Sequence, residues 1–298
     1  MPNPLMLVLD LWSRRYLLGE GPGLRSRTAP ATVVTGASQG IGLSLARRFA
    51  EAGHRVVLVA RRQALIEAAA AAIKRDFGMD AIALTLDINR PNAAVELEQA
   101  LASRGLHADV LINNAGLGLA GRFEDMPEAD IETLLNANVR ALSRLSRHFL
   151  PSMLARRSGG LINMASLAGH VPGPNQAVYY ASKAYVISLT RAIGYETRGR
   201  GVRVAVVTPG PIETRFHAAM SAEQSYYRYL IPSPGPDVVA RATYRGFLWH
   251  QRVIVPSISA KLIGLVMRVM PNFLVIPAMD WLLQQRGIEA NARRDHAA

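Results

Sequence analysis

Short runs of β-branched and other apolar residues alternate with longer stretches of helical periodicity from residue 31 onward. The short runs predict strands at 32–34, 55–60, 81–85, 109–112, 160–164, 203–208 and 252–255. Between them, apolar residues recur at the spacing of one helix face and predict helices at 41–52, 63–77, 91–104, 128–156, 177–199 and 237–248. Strands joined by helices of this length predict right-handed βαβ crossovers and a doubly wound parallel sheet covered by helices on both faces.

The N-terminal segment, residues 1–30, departs from this alternation. Apolar residues between Leu5 and Tyr16 recur at helical spacing and predict a short amphipathic helix. A linker rich in Gly and Pro follows, from 19 to 30. The apolar run is too short to span a bilayer and lacks the basic start and cleavage site of a secretory signal.

The C-terminal extension, residues 256–298, is rich in Met and Leu. Its internal prolines predict a division into short helices, with breaks at Pro271 and Pro277. The chain as a whole is therefore expected to be α/β, with a single Rossmann-like domain over 31–255 between the two terminal segments.

The composition narrows the function classes. The 298 residues include no cysteine, which excludes disulfides, iron–sulfur clusters, cysteine-type zinc sites and thiol nucleophiles. Seven scattered histidines form no His-x-x-x-His pair, so no metal site is expected. The formal charge of +12 fits an arginine-rich solvated surface, an anionic cofactor or an anionic membrane surface. Nucleic acid is not expected as a partner, because no basic block is interleaved with aromatic residues.

A glycine-rich turn follows the first predicted strand. Gly36, Gly40 and Gly42 are spaced Gly-x-x-x-Gly-x-Gly, immediately before a predicted helix. Such a turn lets the backbone approach a pyrophosphate, and the helix N-terminus offers free N–H groups. The same residues contain Gly-x-Ser-x-Gly around Ser38, which matches the nucleophile elbow of α/β-hydrolases. The hydrolase alternative is disfavoured, because several strands precede the elbow in that fold and because it leaves Gly42 unexplained.

Two arginines, Arg61 and Arg62, follow the second predicted strand. In NAD-binding folds an acidic residue near this position binds the ribose 2′-hydroxyl, and none is present here. Guanidinium groups suit a 2′-phosphate through charge-assisted contacts. The position predicts NADP(H) as the cofactor in preference to NAD(H), with two surface arginines as the alternative interpretation.

Tyr179 and Lys183 lie four residues apart in a predicted helix, so both side chains face the same side. A cation close to a phenol lowers its pKa and makes tyrosine a usable general acid or base for a carbonyl–alcohol couple. Ser166 ends a predicted parallel strand, at the sheet edge where open α/β sheets bind ligands. Tyr180 is also close to Lys183, so helix geometry alone does not choose between the tyrosines. A solvated Tyr and Lys without chemistry is the alternative.

Together these motifs resemble the short-chain dehydrogenase/reductase family over roughly residues 31–255. The family pattern has a glycine-rich turn after Thr, an Asn-Asn-Ala-Gly after the fourth strand, and then a catalytic Asn, Ser, Tyr and Lys. In this sequence it comprises, in the same order, Thr35 to Gly42, Asn113 to Gly116, Asn138, Ser166, Tyr179 and Lys183. The interval of 13 residues between Ser166 and Tyr179 is usual in the family and favours Tyr179 over Tyr180.

The resemblance implies a role for each matching residue. Tyr179 would exchange a proton with the substrate oxygen, Lys183 would lower the Tyr179 pKa and bind the nicotinamide ribose, and Ser166 would polarise the carbonyl. Asn138 would hold a water that links Lys183 to solvent. The residues expected to bind the cofactor are Thr35, Gly36, Ser38, Gln39, Gly40, Ile41, Gly42, Arg61, Arg62, Asp87, Ile88, Asn114, Ala115, Gly116, Tyr179, Lys183, Pro209, Gly210, Ile212 and Thr214.

The segment from Phe216 to Pro236 builds a substrate lid in family members. Here it is poor in acids and contains the apolar or aromatic residues Met220, Tyr226, Tyr227, Tyr229, Leu230 and Ile231. It predicts an apolar or lipid-like substrate, so the expected function is NADP(H)-dependent interconversion of a carbonyl and an alcohol. The alternative is a nucleotide-binding regulator or scaffold of the same fold without turnover, which the complete Asn, Ser, Tyr and Lys set disfavours.

Apolar residues at both ends exceed what a Rossmann-like domain requires, from Leu5 to Tyr16 and from Leu262 to Trp281. They predict packing on the domain, a subunit interface, or peripheral membrane contact with arginines facing anionic headgroups. The family resemblance implies a homo-oligomer. A cytoplasmic location is expected, with at most peripheral attachment to the membrane.

Overall fold

The structure is a computed structural model and describes residues 28–214, 216 and 225–284. The helix predicted between Leu5 and Tyr16 lies outside the described residues. The described part of the chain contains seven strands: β1 (Ala29–Thr35), β2 (Val56–Ala60), β3 (Ala81–Thr85), β4 (Leu106–Asn113), β5 (Gly160–Met164), β6 (Arg203–Val207) and β7 (Val253–Ile254). Each overlaps its predicted range, and β1 begins two residues before the predicted domain boundary at residue 31.

All seven strands are parallel and form one sheet in the order β3-β2-β1-β4-β5-β6-β7. The direction of winding reverses between β1 and β4, which are neighbours in the sheet but not in the chain. Open α/β sheets bind ligands at such a reversal, beyond the carboxyl ends of the strands. The predicted doubly wound parallel sheet is confirmed.

The helices connect the strands and cover the sheet. In the described ranges they are α1 (Gly40–Glu51), α2 (Gln63–Phe77), α3 (Ala93–Ala102), α4 (Glu128–Leu135), α5 (Leu142–Arg156), α6 (Ala177–Glu196), α7 (Tyr227–Leu230), α8 (Pro236–Leu248), α9 (Ile258–Val269) and α10 (Asn272–Leu283).

The sheet is buried on both faces because successive apolar residues of each central strand point to opposite sides. On one face, Val34 joins a core with α1, α2 and α8, in which Phe49 and Tyr244 meet edge to face at 4.9 Å. On the other face, Val33 joins a core with α3 and α5 that includes Phe149. Short runs of consecutive Val, Ile and Leu are therefore the sequence signal of these strands.

Two helix predictions are wrong in detail. Residues 128–156 were expected to form one helix, but a wider π-helical turn, Asn136–Ala141, separates α4 from α5. Pro277 was expected to break the C-terminal extension, yet it lies inside α10. The helix continues through it because Val275 and Met279, on either side, are buried against the body of the protein. Pro271 does separate α9 from α10.

Asp109 in β4 places a carboxylate inside the core. Burial raises its pKa to about 6, although Arg156 nearby and a 3.3 Å hydrogen bond from Ser158 Oγ both act in the opposite direction. Between the ordinary pKa of 3.8 and about 6, the folded chain binds a proton that the unfolded chain has lost. The free energy of unfolding therefore falls as the pH rises through this window.

Asp109→Asn is expected to raise the free energy of unfolding by about 2–3 kcal/mol at pH 8 and by about half as much at pH 5, because the amide carries no charge to desolvate. Urea unfolding at the two pH values measures this difference. Asp80→Asn is the control, since Asp80 is exposed and its substitution should leave the pH dependence as it is. An equal effect of Asp109→Asn at both pH values would contradict the assignment.

Candidate active site

A cavity of about 1010 Å³ lies at the carboxyl ends of the strands, where the winding of the sheet reverses. The turns after β1, β2, β3, β4, β5 and β6 contribute to its wall, together with α6, α9 and α10. All but two of the residues predicted for catalysis or cofactor binding line it. The exceptions are Thr35 and Asn138, which are buried behind the wall.

The glycine-rich turn forms one end of the cavity. Gly36 has a positive φ of 67°, and α1 begins at Gly40, so the first residues of the helix, whose N–H groups have no partner within the helix, line the cavity. A Cβ atom on Gly42 would collide with the carbonyl oxygen of Gly36 and with the side-chain amide of Asn114. No acidic residue lies in the first turn of α1. The turn therefore offers backbone donors and the positive end of a helix dipole, which suits a pyrophosphate.

Thr35 supports this turn rather than lining the cavity. Its hydroxyl accepts hydrogen bonds from the backbone N–H groups of Asn114 at 3.0 Å and Ala115 at 3.1 Å, and it donates to the carbonyl of Ile112. The side-chain amide of Asn114 donates in turn to the carbonyl of Thr35 at 3.0 Å. The loop after β4 thus occupies the Thr35 hydroxyl, and the expectation that Thr35 contacts the cofactor stays a prediction.

Arg61 and Arg62 lie exposed at the same end of the cavity. Arg62 donates a hydrogen bond to Ser38 Oγ at 3.0 Å, which ties it to the glycine-rich turn. Neither arginine forms an ion pair with a carboxylate of the described residues. Asp87 follows the neighbouring strand β3 and accepts a hydrogen bond from the backbone N–H of Asn89 at 3.0 Å. This end of the cavity therefore offers donors that suit a dinucleotide cofactor.

Ser166, Tyr179 and Lys183 meet at the centre of the cavity. Ser166 follows β5, and its Oγ accepts from the backbone N–H of Ala168 at 3.2 Å and donates to the carbonyl of Pro209 at 3.5 Å. Lys183 Nζ lies 5.7 Å from the centre of the Tyr179 ring and donates to the carbonyl of Met164 at 3.2 Å. The fold thus brings together three residues that were predicted to act together.

Burial dominates the protonation of this cluster. It raises the pKa of Tyr179 to about 12, and the hydrogen bond with Ser166 offsets only part of this shift. Burial also lowers the pKa of Lys183 to about 8. Desolvation is therefore the largest influence on the pKa of both groups in this structure, and the expectation that Lys183 lowers the Tyr179 pKa stays a prediction.

The two adjacent tyrosines are distinguished by their surroundings. Both are buried and line the cavity, with ring centres 6.1 Å apart. Tyr179 has Ser166 and Lys183 beside it, whereas the Tyr180 ring packs over Gly173, where an added Cβ would collide with it. The geometry favours Tyr179 for proton transfer.

Asn138 lies in the π-helical turn and is fully buried. Its side-chain amide donates to the carbonyl of Leu117 at 2.8 Å and to Ser182 Oγ at 3.0 Å, and its Oδ1 accepts from the Leu117 N–H at 2.8 Å. Asn138 therefore fixes the loop after β4 against α6, the helix that carries Tyr179 and Lys183. Sequence reasoning found this residue but not the π-helical turn that presents it.

Gln176 is a candidate site residue that sequence reasoning missed. It precedes α6, is only 3% exposed and lines the cavity. Its side-chain nitrogen has no hydrogen-bond partner among the described residues. The sequence could have indicated Gln176 through its position three residues before Tyr179, because this spacing corresponds to about one helical turn.

The far wall of the cavity is apolar. Four residues of the predicted lid line the cavity, namely Phe216, Tyr227, Ile231 and Pro236. Tyr229 and Leu230 instead point to solvent, Tyr226 stacks on Trp281, and Met220 lies outside the described residues. The C-terminal extension completes this wall with Ile263, Met267, Met279 and Leu283, a contribution that the sequence analysis did not predict.

Comparison with known proteins identifies the family of this chain. The family described as short chain dehydrogenase matches residues 30–225 of the chain. The chain belongs to this family. The resemblance drawn from the sequence motifs is thereby confirmed, and it places the chain among the NAD(P)-dependent oxidoreductases that act on CH–OH or carbonyl groups.

Ketoacyl reductase HetN of Nostoc sp. is 39% identical over 183 residues, which are 61% of this chain and 63% of that protein. The match thus spans less than two thirds of that relative. Sulfoacetaldehyde reductase 2 of Chromohalobacter salexigens is 31% identical over 72% of this chain and 88% of its own length. A solved short-chain dehydrogenase from Sphingobium yanoikuyae in complex with NADPH is 31% identical with a TM-score of 0.72, covering 79% of this chain and 91% of that chain.

Proposed function

We propose that the protein interconverts a carbonyl and an alcohol on an apolar substrate with NADP(H) as cofactor. The observation that carries this proposal is the cluster of Ser166, Tyr179 and Lys183 between a phosphate-binding turn and an apolar wall. Such a cavity places a carbonyl beside a proton donor and leaves an apolar body in contact with Phe216 and Tyr227. The direct test is turnover on a panel of ketones with each nicotinamide cofactor, followed at 340 nm.

Tyr179 is the proposed general acid and base. Its raised pKa keeps the phenol protonated at neutral pH, which is the form that carbonyl reduction needs. When bound, NADPH supplies the hydride that the carbonyl carbon receives. Ser166, which lines the cavity together with Tyr179, would donate to the same substrate oxygen and so fix its position between two hydroxyl groups.

Lys183 is proposed to bind the nicotinamide ribose and to stabilise the phenolate that remains after proton transfer. Its burial supports this role, because an ammonium group attracts a neighbouring phenolate more strongly in a dry site. Asn138 is proposed to hold a water that links Lys183 to solvent. The side-chain amide of Asn138 already donates to Leu117 and Ser182. Such a water would therefore donate to Asn138, either to its side-chain Oδ1 or to its backbone carbonyl oxygen.

NADP(H) in preference to NAD(H) is proposed from Arg61 and Arg62. Their guanidinium groups lie at the end of β2, where the adenosine ribose meets the sheet in dinucleotide-binding folds. Arg62 is held by Ser38 in an orientation toward the glycine-rich turn. The solved relative from Sphingobium yanoikuyae contains NADPH, which supports the same choice.

Arg61→Ala is expected to raise the KM for NADPH about tenfold, since it removes a charge-assisted contact to the 2′-phosphate. The KM for NADH should change little, because that cofactor lacks the phosphate. Initial rates with both cofactors measure the effect, and Arg75→Ala is the control because Arg75 is an exposed arginine paired with Asp76. Arg62 is proposed to assist Arg61 in binding the 2′-phosphate. Equal losses with NADPH and NADH would reject this role of Arg61.

Gln176 is proposed to donate a hydrogen bond to a second oxygen of the substrate. Gln176→Leu is expected to raise the KM about tenfold for ketones that carry an acceptor next to the carbonyl, while kcat and the KM for NADPH stay close to wild type. A matched ketone without the second acceptor serves as the control substrate. If both ketones lose equally, the side chain supports the cavity wall and makes no such contact.

The remaining sequence predictions stay predictions. They are a homo-oligomeric assembly, a cytoplasmic location and peripheral membrane contact through the chain ends. The structure adds support to the last of these, since α9 and α10 expose many large apolar side chains.

A further inference from the structure

Helix α9 has apolar residues on two opposite sides. Ile263 and Met267 face the active-site cavity. Leu262, Leu265 and Val269 face outward and are 61%, 60% and 73% exposed. A helix that only closed the cavity would carry polar residues on its outer side. The outer side of α9 is therefore built to contact something apolar.

Helix α10, which follows α9 after Pro271, shows the same division between a cavity side and an exposed apolar side. Met279 and Leu283 line the cavity, while Phe273 is 74% and Trp281 is 52% exposed. Nine of the seventeen large apolar side chains exposed among the described residues lie on these two helices, which together cover a small part of the chain. We call them the C-terminal apolar surface: Ile258, Leu262, Leu265, Val266, Val269, Phe273, Leu274, Ile276 and Trp281. Such a concentration marks an interaction site.

Basic residues outnumber acidic ones in this part of the chain, since residues 256–284 include Lys261 and Arg268 but one acid, Asp280. Lys261 is exposed on α9. Asp280 is the only acidic residue between 256 and 284, and its carboxylate accepts hydrogen bonds from Asn175 at 2.9 Å and Gln284 at 3.2 Å. The surface is thus apolar and cationic, which complements the acyl chains and headgroups of an anionic bilayer.

The dimensions fit a helix pair that lies in the plane of the membrane. Helices α9 and α10 contain 12 residues each, which is about 18 Å and well below the thickness of roughly 30 Å of a bilayer core. Within the described ranges, no helix has both the length and the hydropathy to cross a bilayer. Trp281 stacks on Tyr226 with ring centres 5.2 Å apart, which holds its ring in place on the body of the protein.

We propose that the C-terminal apolar surface docks on an anionic lipid bilayer and that the substrate is a carbonyl compound dissolved in that bilayer. Helices α9 and α10 separate the docked surface from the cavity by the thickness of one helix, and their inner sides supply its apolar wall. The substrate class rests on the proposed function, whereas the docking itself does not.

The test compares the full chain with Leu265→Glu/Val269→Glu, which places two carboxylates on the outer side of α9 and leaves the cavity residues unchanged. Val95→Glu/Tyr195→Glu is the matched control, because both residues are exposed on α3 and α6. Each protein is sedimented with phosphatidylcholine vesicles with and without phosphatidylglycerol. We expect the wild type and the control to sediment with the anionic vesicles, and the α9 variant to lose at least about fivefold of its bound fraction.

Turnover separates the two parts of the proposal. A short water-soluble ketone should be reduced equally by all three proteins, whereas a long-chain ketone embedded in anionic vesicles should be reduced more slowly by the α9 variant alone. Wild-type protein left in the supernatant, or an α9 variant that sediments normally, would overturn the docking surface. Dissociation of a dimer in the α9 variant, without vesicle binding by the wild type, would assign the surface to a second copy. Vesicle binding without turnover of either ketone would reject the proposed function and leave the docking surface in place.

Discussion

Tyr179→Phe is expected to lower kcat for ketone reduction by about 10²–10⁴-fold, the usual contribution of a general acid or base. The phenyl ring keeps its position beside Lys183, so NADPH should bind with nearly wild-type affinity. What disappears is the phenolic hydroxyl, which is the proposed proton donor. Steady-state kinetics on one ketone, with NADPH fluorescence as the binding measurement, would establish the split between catalysis and binding.

Tyr180→Phe is the matched control for this experiment. The two tyrosines are adjacent, equally buried and both line the cavity, so the substitutions remove the same atom from similar environments. Tyr180→Phe should retain most of the activity. The reverse result, a near-normal Tyr179→Phe and an inactive Tyr180→Phe, would show that the wrong tyrosine has been assigned.

Gly42→Ala is expected to weaken NADPH binding by about a hundredfold or more, since it alters the geometry of several charge-assisted contacts at once. The added Cβ would collide with the carbonyl oxygen of Gly36, a backbone atom that cannot turn away. Relief of that collision has to move the turn that offers its N–H groups to the pyrophosphate. Fluorescence titration with NADPH measures the loss.

Gly235→Ala controls for the general effect of adding a methyl group. Gly235 precedes α8, has an ordinary negative φ of −65° and has no atom within 4 Å of its added Cβ. Its affinity for NADPH and its melting temperature should match those of the wild type. Tight NADPH binding by a folded Gly42→Ala variant would contradict the role assigned to the turn.

The fold was predictable because its signals are local. Each central strand is a short run of β-branched and aliphatic residues, such as that from Val56 to Ala60, and both of its faces are buried. The Tyr179 and Lys183 pair was predictable for the same reason, since the spacing within one helix fixes their separation. The family motifs indicated the other predicted site residues, most of which line the cavity.

What the sequence did not reveal depends on contacts between distant segments. Gln176 became a candidate site residue only because the structure shows that it lines the cavity and that its side-chain nitrogen has no hydrogen-bond partner among the described residues. Thr35 was assigned to the cofactor because nothing local shows that the loop after β4 takes up its hydroxyl. The cavity-lining residues of α9 and α10 follow an ordinary apolar helical pattern in the sequence. Only the structure shows that they close the cavity. The raised pKa of Tyr179 likewise reflects burial by several elements at once.

The central claim is that a hydride passes from NADPH to a substrate carbonyl beside Tyr179. It is tested most directly with NADPH that carries deuterium in both positions at nicotinamide C4, incubated with an apolar ketone and the full chain. Mass spectrometry of the product should show one deuterium on the carbinol carbon, formed in a one-to-one ratio with the NADPH oxidised, and almost no product with Tyr179→Phe. An alcohol without the label, or NADPH that binds and is not oxidised by any ketone of a broad panel, would contradict the account.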